Sequence, residues 1–225
     1  MRQRWSNLLF LHWRMPAEQI QATLPAGLYA DTFGGDAWVG IVPFHMERIR
    51  PSGLPAFPGV SWFLELNVRT YVHDDNGVPG VWFYSLDCNQ PLAVEVAHRF
   101  FHLPYCHALM SAEVRDGRVD YQCRRETDEA RGAGFSYDLC RSGAPAEPGT
   151  LEFFLVERYL LYSANEAGSV FRGRVFHPPY RIAPVACREW STEPARLDGL
   201  VLPDGPPQSI LGAEPVDVNV FPLTR

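Results

Sequence analysis

A chain of 225 residues, 46% hydrophobic and 13% aromatic, is long enough to bury a sizeable core within one domain. Its formal net charge of -6 is modest and its basic residues are scattered, which argues against a nucleic-acid or anionic-membrane surface. All 20 basic residues are Arg, so chemistry that needs a lysine Schiff base is excluded.

RWSNLLFLHWRM (4–15) reads as a strand, and PAEQIQATLP (16–25) as a short helix opened by Pro16 and closed before Pro25 and Gly27. LYADTF, the turn GGD and AWVGIVPFHMERI predict a hairpin over 28–49, followed by the Pro- and Gly-rich loop RPSGLPAFPG (50–59). FLELNVRTYV (63–72) alternates with strand period; DDNG (74–77) is a turn signal and VPGVWFYSLD the returning strand. PLAVEVAHRFF (91–101) is a short helix led by Pro91. MSAEVRDGRVDYQCRRE (110–126) is a hairpin joined at Asp116-Gly117, and GFSYDLC (134–140) a further strand. TLEFFLVERYLLYSA (150–164) opens as a helix capped by Thr150 and turns strand-like near Tyr159. SVFRGRVF (169–176) is a strand broken by His177-Pro178-Pro179. The region 192–208 is rich in Pro, Gly and Asp, and VDVNVF (216–221) is the last strand. The sum is one α+β domain over 1–225, mostly antiparallel β, curled or closed to manage its edges, with a few short helices.

In the 63–72 strand the polar side chains Glu65, Asn67, Arg69 and Tyr71 share one face. A two-residue turn at Asn76-Gly77 predicts the pairs Tyr71–Trp82, Arg69–Tyr84, Asn67–Leu86 and Glu65–Cys88. That register puts Trp82, Tyr84 and Leu86 beside the polar set, which suits a partly buried pocket better than bulk water. There Glu65 and Arg69 need each other or a ligand. The same alternation also describes a strand with one solvated face.

Cys88, Cys106, Cys123, Cys140 and Cys187 are odd in number and far apart, with no C-x-x-C pair, so free thiols are expected. Nothing near Cys106 marks an activating base, and Ser85 and Ser111 lie in no nucleophile-elbow context. His98 and His102 are spaced i, i+4 and His107 follows, yet no reliable third ligand accompanies them; no metal site is expected. No secretory leader is evident and no apolar run is long enough to span a bilayer, so a cytoplasmic location is expected.

QRWSNLLFLHWRM, LPAGLYADTFGGDAWVGIVPF, ELNVRTYV, GVWFYSLD, RFFHLPYCHALM, GTLEFFLVERYLLY and HPPYRI together closely resemble the bacterial YqjF-like family, domain of unknown function 2071. That family is similar to a branch of the acetoacetate-decarboxylase-like superfamily. The resemblance implies a closed or partly closed β-barrel around a small-molecule cavity, lined in the decarboxylases by glutamates and an arginine. In those enzymes a lysine just after a proline forms the Schiff base; in HLPYCH (102–107) Tyr105 follows Pro104 instead. The resemblance thus implies a cavity role for Glu65 and Tyr105, a decarboxylation route that cannot operate as such, and an arginine that can be Arg4, Arg69 or Arg99.

The expected function is binding of a small organic acid or enolisable carbonyl compound. Glu65 and Tyr105 are the candidate catalytic residues, and Arg69, Asn67, Arg99, His107, Tyr84, Trp82 and Tyr159 the candidate ligand contacts. Glu157, Arg158 and Tyr162 either complete a polar network across the cavity or anchor a helix end. Proton-transfer chemistry of lyase, tautomerase or hydrolase type is accessible without an amine or a cofactor. The alternative is a carrier or sensor that has lost the catalytic lysine. The expected partner is a small molecule, with neither nucleic acid nor membrane, and a homo-oligomer is compatible with the sequence.

Overall fold

The computed structural model describes every residue but Ser52, and every side chain but those of Ser52, Val96, Ala97, His98 and Phe100. Asn7 adopts a left-handed φ of 53° and breaks the first strand in two, β1 (Arg2–Ser6) and β2 (Leu8–Met15). The short helix α1 (Ala17–Gln21) follows, then β3 (Leu28–Ala30) and the long β4 (Ala37–Arg50). The hairpin expected over 28–49 does not form: β3 pairs with β5 (Phe63–Asp74), and the GGD turn carries only a Phe33–Asp36 bridge.

β6 (Pro79–Cys88) returns antiparallel to β5, and Gln90 then caps α2 (Pro91–Phe101) by accepting from the Leu92 N–H. His102 ends this helix with φ 48°. β7 (Tyr105–Arg115) and β8 (Arg118–Arg125) form the hairpin expected at Asp116-Gly117, flanked by β9 (Ala133–Asp138). After β10 (Ala144–Pro145), Thr150 Oγ1 accepts from the Phe153 N–H to start α3 (Leu151–Val156), and β11 (Leu160–Ala164) and β12 (Val170–Phe176) pair as a hairpin. The remainder is β13 (Arg181–Pro184), β14 (Cys187–Glu189), α4 (Glu193–Leu197), β15 (Ser209–Ala213) and β16 (Val216–Thr224).

The pairings β1–β4, β4–β5, β5–β6, β6–β11, β11–β12, β12–β16 and β16–β1 form a closed circuit. Most of them are antiparallel, while β11 and β7 join β6 in parallel. Alternation along β4 and β5 then builds two cores from the same strands. Trp38, Val42, Phe44 and Met46 turn inward with Phe10, Leu86 and Val218, whereas Val39, Ile41, Leu66 and Val68 turn outward against Val119, Tyr121 and Phe135 of β8 and β9. The inward face of β5 carries Glu65, Asn67, Arg69 and Tyr71, all buried.

Candidate functional site

The connection between β5 and β6 decides which aromatic residues meet that inward face. Asp74 Oδ1 accepts from the N–H groups of Asn76 and Val78, and Gly77 takes φ 73°, so the loop holds three residues rather than two. The register near the turn therefore shifts by one from the expected pairing: Tyr71 faces Val81 and Arg69 faces Phe83. A bulge between Val68 and Arg69 inserts Tyr84 and restores the expected pairs Asn67–Leu86 and Glu65–Cys88. Val81, Phe83 and Leu86 line the interior. Trp82 instead packs near Leu28, Val72 and Tyr162, and Tyr84 donates to or accepts from Thr23 Oγ1 at 2.7 Å on the opposite side of the sheet.

The circuit encloses a cavity of about 380 Å³. Its wall is mainly apolar, with Phe10, Phe44, Phe83, Leu86, Phe101 and Val156 among the lining residues; its polar members include Gln3, Glu65, Asn67, Arg69, Tyr105, Arg158 and His177. Four of the expected site residues thus meet there: Glu65, Asn67, Arg69 and Tyr105. Trp82, Tyr84, Tyr159, His107, Arg99 and Arg4 do not line it. His107 is exposed on β7, and Arg99 is exposed on α2. Arg4 pairs at the surface with Asp217 and Glu47. His98 lies outside the described side chains, and His102 is occupied as the end of α2 against Phe171.

Glu65 is fully desolvated, which raises its carboxyl from 4.5 to about 7 although the Tyr105 hydroxyl donates to Oε2 at 2.8 Å and opposes the rise. Burial and the neighbouring carboxylate push the Tyr105 phenol well above its ordinary range. The raised phenol keeps its proton at neutral pH, so Tyr105 is a hydrogen-bond donor to Glu65 rather than an activated base. Cys88, opposite Glu65, is pushed up to about 12 by burial and by that carboxylate, and Cys106 is also raised, so both are inert thiols.

Arg69 Nη2 donates to the Leu155 carbonyl at 3.1 Å and toward the Tyr71 hydroxyl at 3.4 Å, while its guanidinium lies against the Phe10 and Tyr71 rings. No carboxylate lies within ion-pair distance of it among the described residues, and its Nε, like Asn67 Oδ1, is buried without a hydrogen-bond partner there. Gly40 makes this placement possible: a Cβ at that position would lie 3.1 Å from the His12 ring and 3.5 Å from Arg69 Cγ. His12 is fully buried and its pKa is lowered well below 6.5, first by burial and then by Arg69. The Tyr71 hydroxyl donates to the Leu155 carbonyl at 2.7 Å, so His12 Nε2 is the donor in its 2.7 Å contact with that oxygen.

Arg158, by contrast, is paired with Asp31 at 2.7 Å and donates to the Phe154 carbonyl, closing the end of α3. Glu157 anchors the later HPPYRI stretch by accepting from the Tyr180 N–H at 2.8 Å and from the Tyr159 hydroxyl. Tyr162 donates to Val78 O outside the cavity. These three therefore anchor elements more than they cross the cavity. His177, unforeseen as a site residue, does line the cavity. Its Nδ1 lies 2.9 Å from the Pro178 carbonyl, which can only accept, so Nδ1 carries the proton and Nε2 is left as the acceptor. Burial lowers its pKa below 6.5.

A second charged cluster lies on the outward face of β6. Arg125 donates to Asp87 at 2.6 Å, to Asp198 at 2.7 Å and to Ser85 at 2.7 Å, and all four residues are at least partly withdrawn from water. It ties β6, β8 and the end of α4 together and is satisfied internally.

The family DUF2071, described as "Uncharacterized conserved protein (COG2071)", matches residues 2–217. "Uncharacterized protein YqjF" of Bacillus subtilis (strain 168) is 34% identical over 225 residues, covering 100% of this chain and 92% of its own. Among solved structures, acetoacetate decarboxylase from Legionella pneumophila subsp. pneumophila str. Philadelphia 1 superimposes with a TM-score of 0.66 at 12% identity, covering 100% of this chain and 88% of that one. An acetoacetate decarboxylase-like enzyme from Sphingomonas wittichii RW1 gives 0.64 at 13% identity with 100% and 91% coverage. The enduracididine biosynthesis enzyme MppR complexed with pyruvate gives 0.62 at 14% identity with 99% and 87% coverage. The fold is thus acetoacetate-decarboxylase-like, and the chain belongs to the DUF2071 family.

Proposed function

We propose that this chain binds an organic acid or enolisable carbonyl compound in the cavity of the strand circuit, with Arg69 receiving the anionic group and Glu65 moving a proton. One observation carries the reading: Arg69 is a buried cation with no carboxylate of the protein beside it among the described residues, facing a cavity with an unpartnered Nε. Such a charge is costly unless an anion shares the site. That MppR is complexed with pyruvate accords with an acid as the ligand.

Glu65, at about 7, is divided between acid and base near neutrality, which suits a group that takes an α-proton and returns it elsewhere. The electron pair released to the carbonyl oxygen would be stabilised as an enolate by the Asn67 amide, which stands between Glu65 and Arg69 on β5. Tyr105 holds the Glu65 carboxyl in place. With no lysine in the chain, the reaction proceeds without a side-chain imine.

The test is exchange of α-hydrogens with deuterium from D2O, followed by proton NMR on 3-oxo acids of increasing chain length. Catalysed exchange that Glu65→Gln abolishes, with binding retained, supports proton transfer. The carrier reading is favoured by the lack of an activated nucleophile among Tyr105, Cys88 and Cys106. It prevails if acids bind through Arg69 and none exchanges faster than in buffer.

A further inference from the structure

We infer that the ligand is an amphiphilic acid with an extended apolar body, rather than a compact acid the size of butyrate; this rests on the reading that Arg69 receives an anion. β5 runs from the cavity mouth at Phe63 past Glu65 and Asn67 to Arg69, about 20 Å of extended chain at roughly 3.3 Å per residue. Along the same strand the Cα atoms of Glu65 and Arg69 are roughly 13 Å apart. Their heads turn to different neighbours, Arg69 to Tyr71 and Leu155, and Glu65 to Tyr105. A compact acid seated on Arg69 therefore leaves Glu65 without a substrate atom, whereas a longer molecule meets both.

The wall between those polar points is apolar: Val42, Phe44, Phe83 and Leu86 face it. The cavity of about 380 Å³ has room for roughly a dozen waters at ~30 Å³ each, so a compact acid would leave much of that wall wet. At the mouth the apolar lining continues outward. Phe57 is 55% exposed, Leu92 53% and Val60 41%, although all three also line the cavity. The side chain of Gln90 donates to the Gly59 carbonyl at 2.7 Å and fastens this loop to the start of α2, so the apolar rim is a built edge of the cavity. Clustered large apolar side chains left half in water are uncommon without a partner surface. An apolar tail emerging between the 57–60 loop and α2 covers them.

The experiment is calorimetric titration of the full chain with butyrate, hexanoate, octanoate, decanoate and decanol, each kept below its aggregation concentration. Affinity is expected to tighten about fourfold per methylene, the equivalent of ~0.8 kcal/mol per buried CH2, until the chain reaches the rim. Phe57→Asp and Leu92→Asp, both at exposed positions, are expected to weaken decanoate about tenfold and butyrate far less. Equal affinity for butyrate and decanoate overturns the extended-body inference and leaves the anion site standing. Decanol binding as tightly as decanoate, with no loss in Arg69→Gln, overturns the anion site instead. Binding of neither acid overturns both.

Discussion

The Tyr105 hydroxyl donates to Glu65 Oε2 across 2.8 Å, bringing a residue of β7 to a carboxyl on β5 that burial holds at about 7. Because the folded value lies above 4.5, the unfolded chain loses this proton first. Stability contributed through Glu65 is therefore highest below about pH 4.5 and falls as pH rises to about 7, by on the order of 3 kcal/mol. Glu65→Gln is expected to remove that decline, so that the variant gains on the parent at pH 8 and not at pH 4 in denaturant titrations. Tyr105→Phe removes the hydrogen bond that opposes the rise and is expected to move the carboxyl above 7, read by carbon-13 NMR of the labelled side chain.

Arg69→Met tests the anion site without an obvious folding penalty. The lost Nη2 donor to the Leu155 carbonyl is backed by the Tyr71 hydroxyl, and a buried guanidinium with no carboxylate beside it among the described residues is a weak source of stability. The thermal midpoint at pH 7 is expected to hold or rise while acid binding falls at least tenfold by titration calorimetry. His12 should also titrate at higher pH in the variant, since Arg69 is one of the two causes of its lowered value.

The polar half of this site was legible because strand period alone puts residues 65, 67 and 69 on one side, and the absence of lysine narrowed the chemistry before any fold was known. Its aromatic half was not. The loop after Asp74 holds three residues where the Asn-Gly signal implied two, and the bulge at Tyr84 compensates, so the expected register held at Glu65 and Asn67 but misplaced Trp82 and Tyr84. Neither event is visible without the partner strand. Long-range closure was hidden for the same reason. β13 and β15 are short and lie between Pro-rich stretches; β13 pairs with β10 and β15, and β15 pairs in turn with β2, far away in sequence. His177 read as a break before Pro178-Pro179; the adjacent Pro178 carbonyl fixes its tautomer, but its place in the cavity wall is a tertiary fact with no sequence period.

His177 is expected to be neutral and protonated on Nδ1 at neutral pH, a state that nitrogen-15 NMR of the labelled ring reports directly. Its folded pKa lies below 6.5, so the unfolded chain binds the extra proton between the two values, and stability from this residue is lost on acidification below about pH 6.5. That window runs opposite to the Glu65 effect, and the difference curves of the two variants separate them. Nε2 can accept only from a ligand hydroxyl, so His177→Phe is expected to weaken a hydroxy acid about fivefold by titration calorimetry, the worth of one hydrogen bond at ~1 kcal/mol, and to leave the unsubstituted acid unchanged.

Arg125 and Arg69 are both buried, yet opposite outcomes are expected from the same substitution. Arg125 bridges Asp87 and Asp198, and desolvation raises both carboxyls in spite of the guanidinium between them. Arg125→Met strands two acids and a serine in the interior, at a cost of about 3–5 kcal/mol measured by urea titration at pH 7. The deficit is expected to shrink toward pH 4, where Asp87 and Asp198, raised further without their partner, take up protons and no longer repel. Acid binding in the cavity should persist wherever the variant is folded, because this cluster faces away from Glu65 and Arg69 across β6. A variant that folds normally at pH 7, or that loses acid binding while folded, contradicts the division of these two arginines into one satisfied by the protein and one left for a ligand.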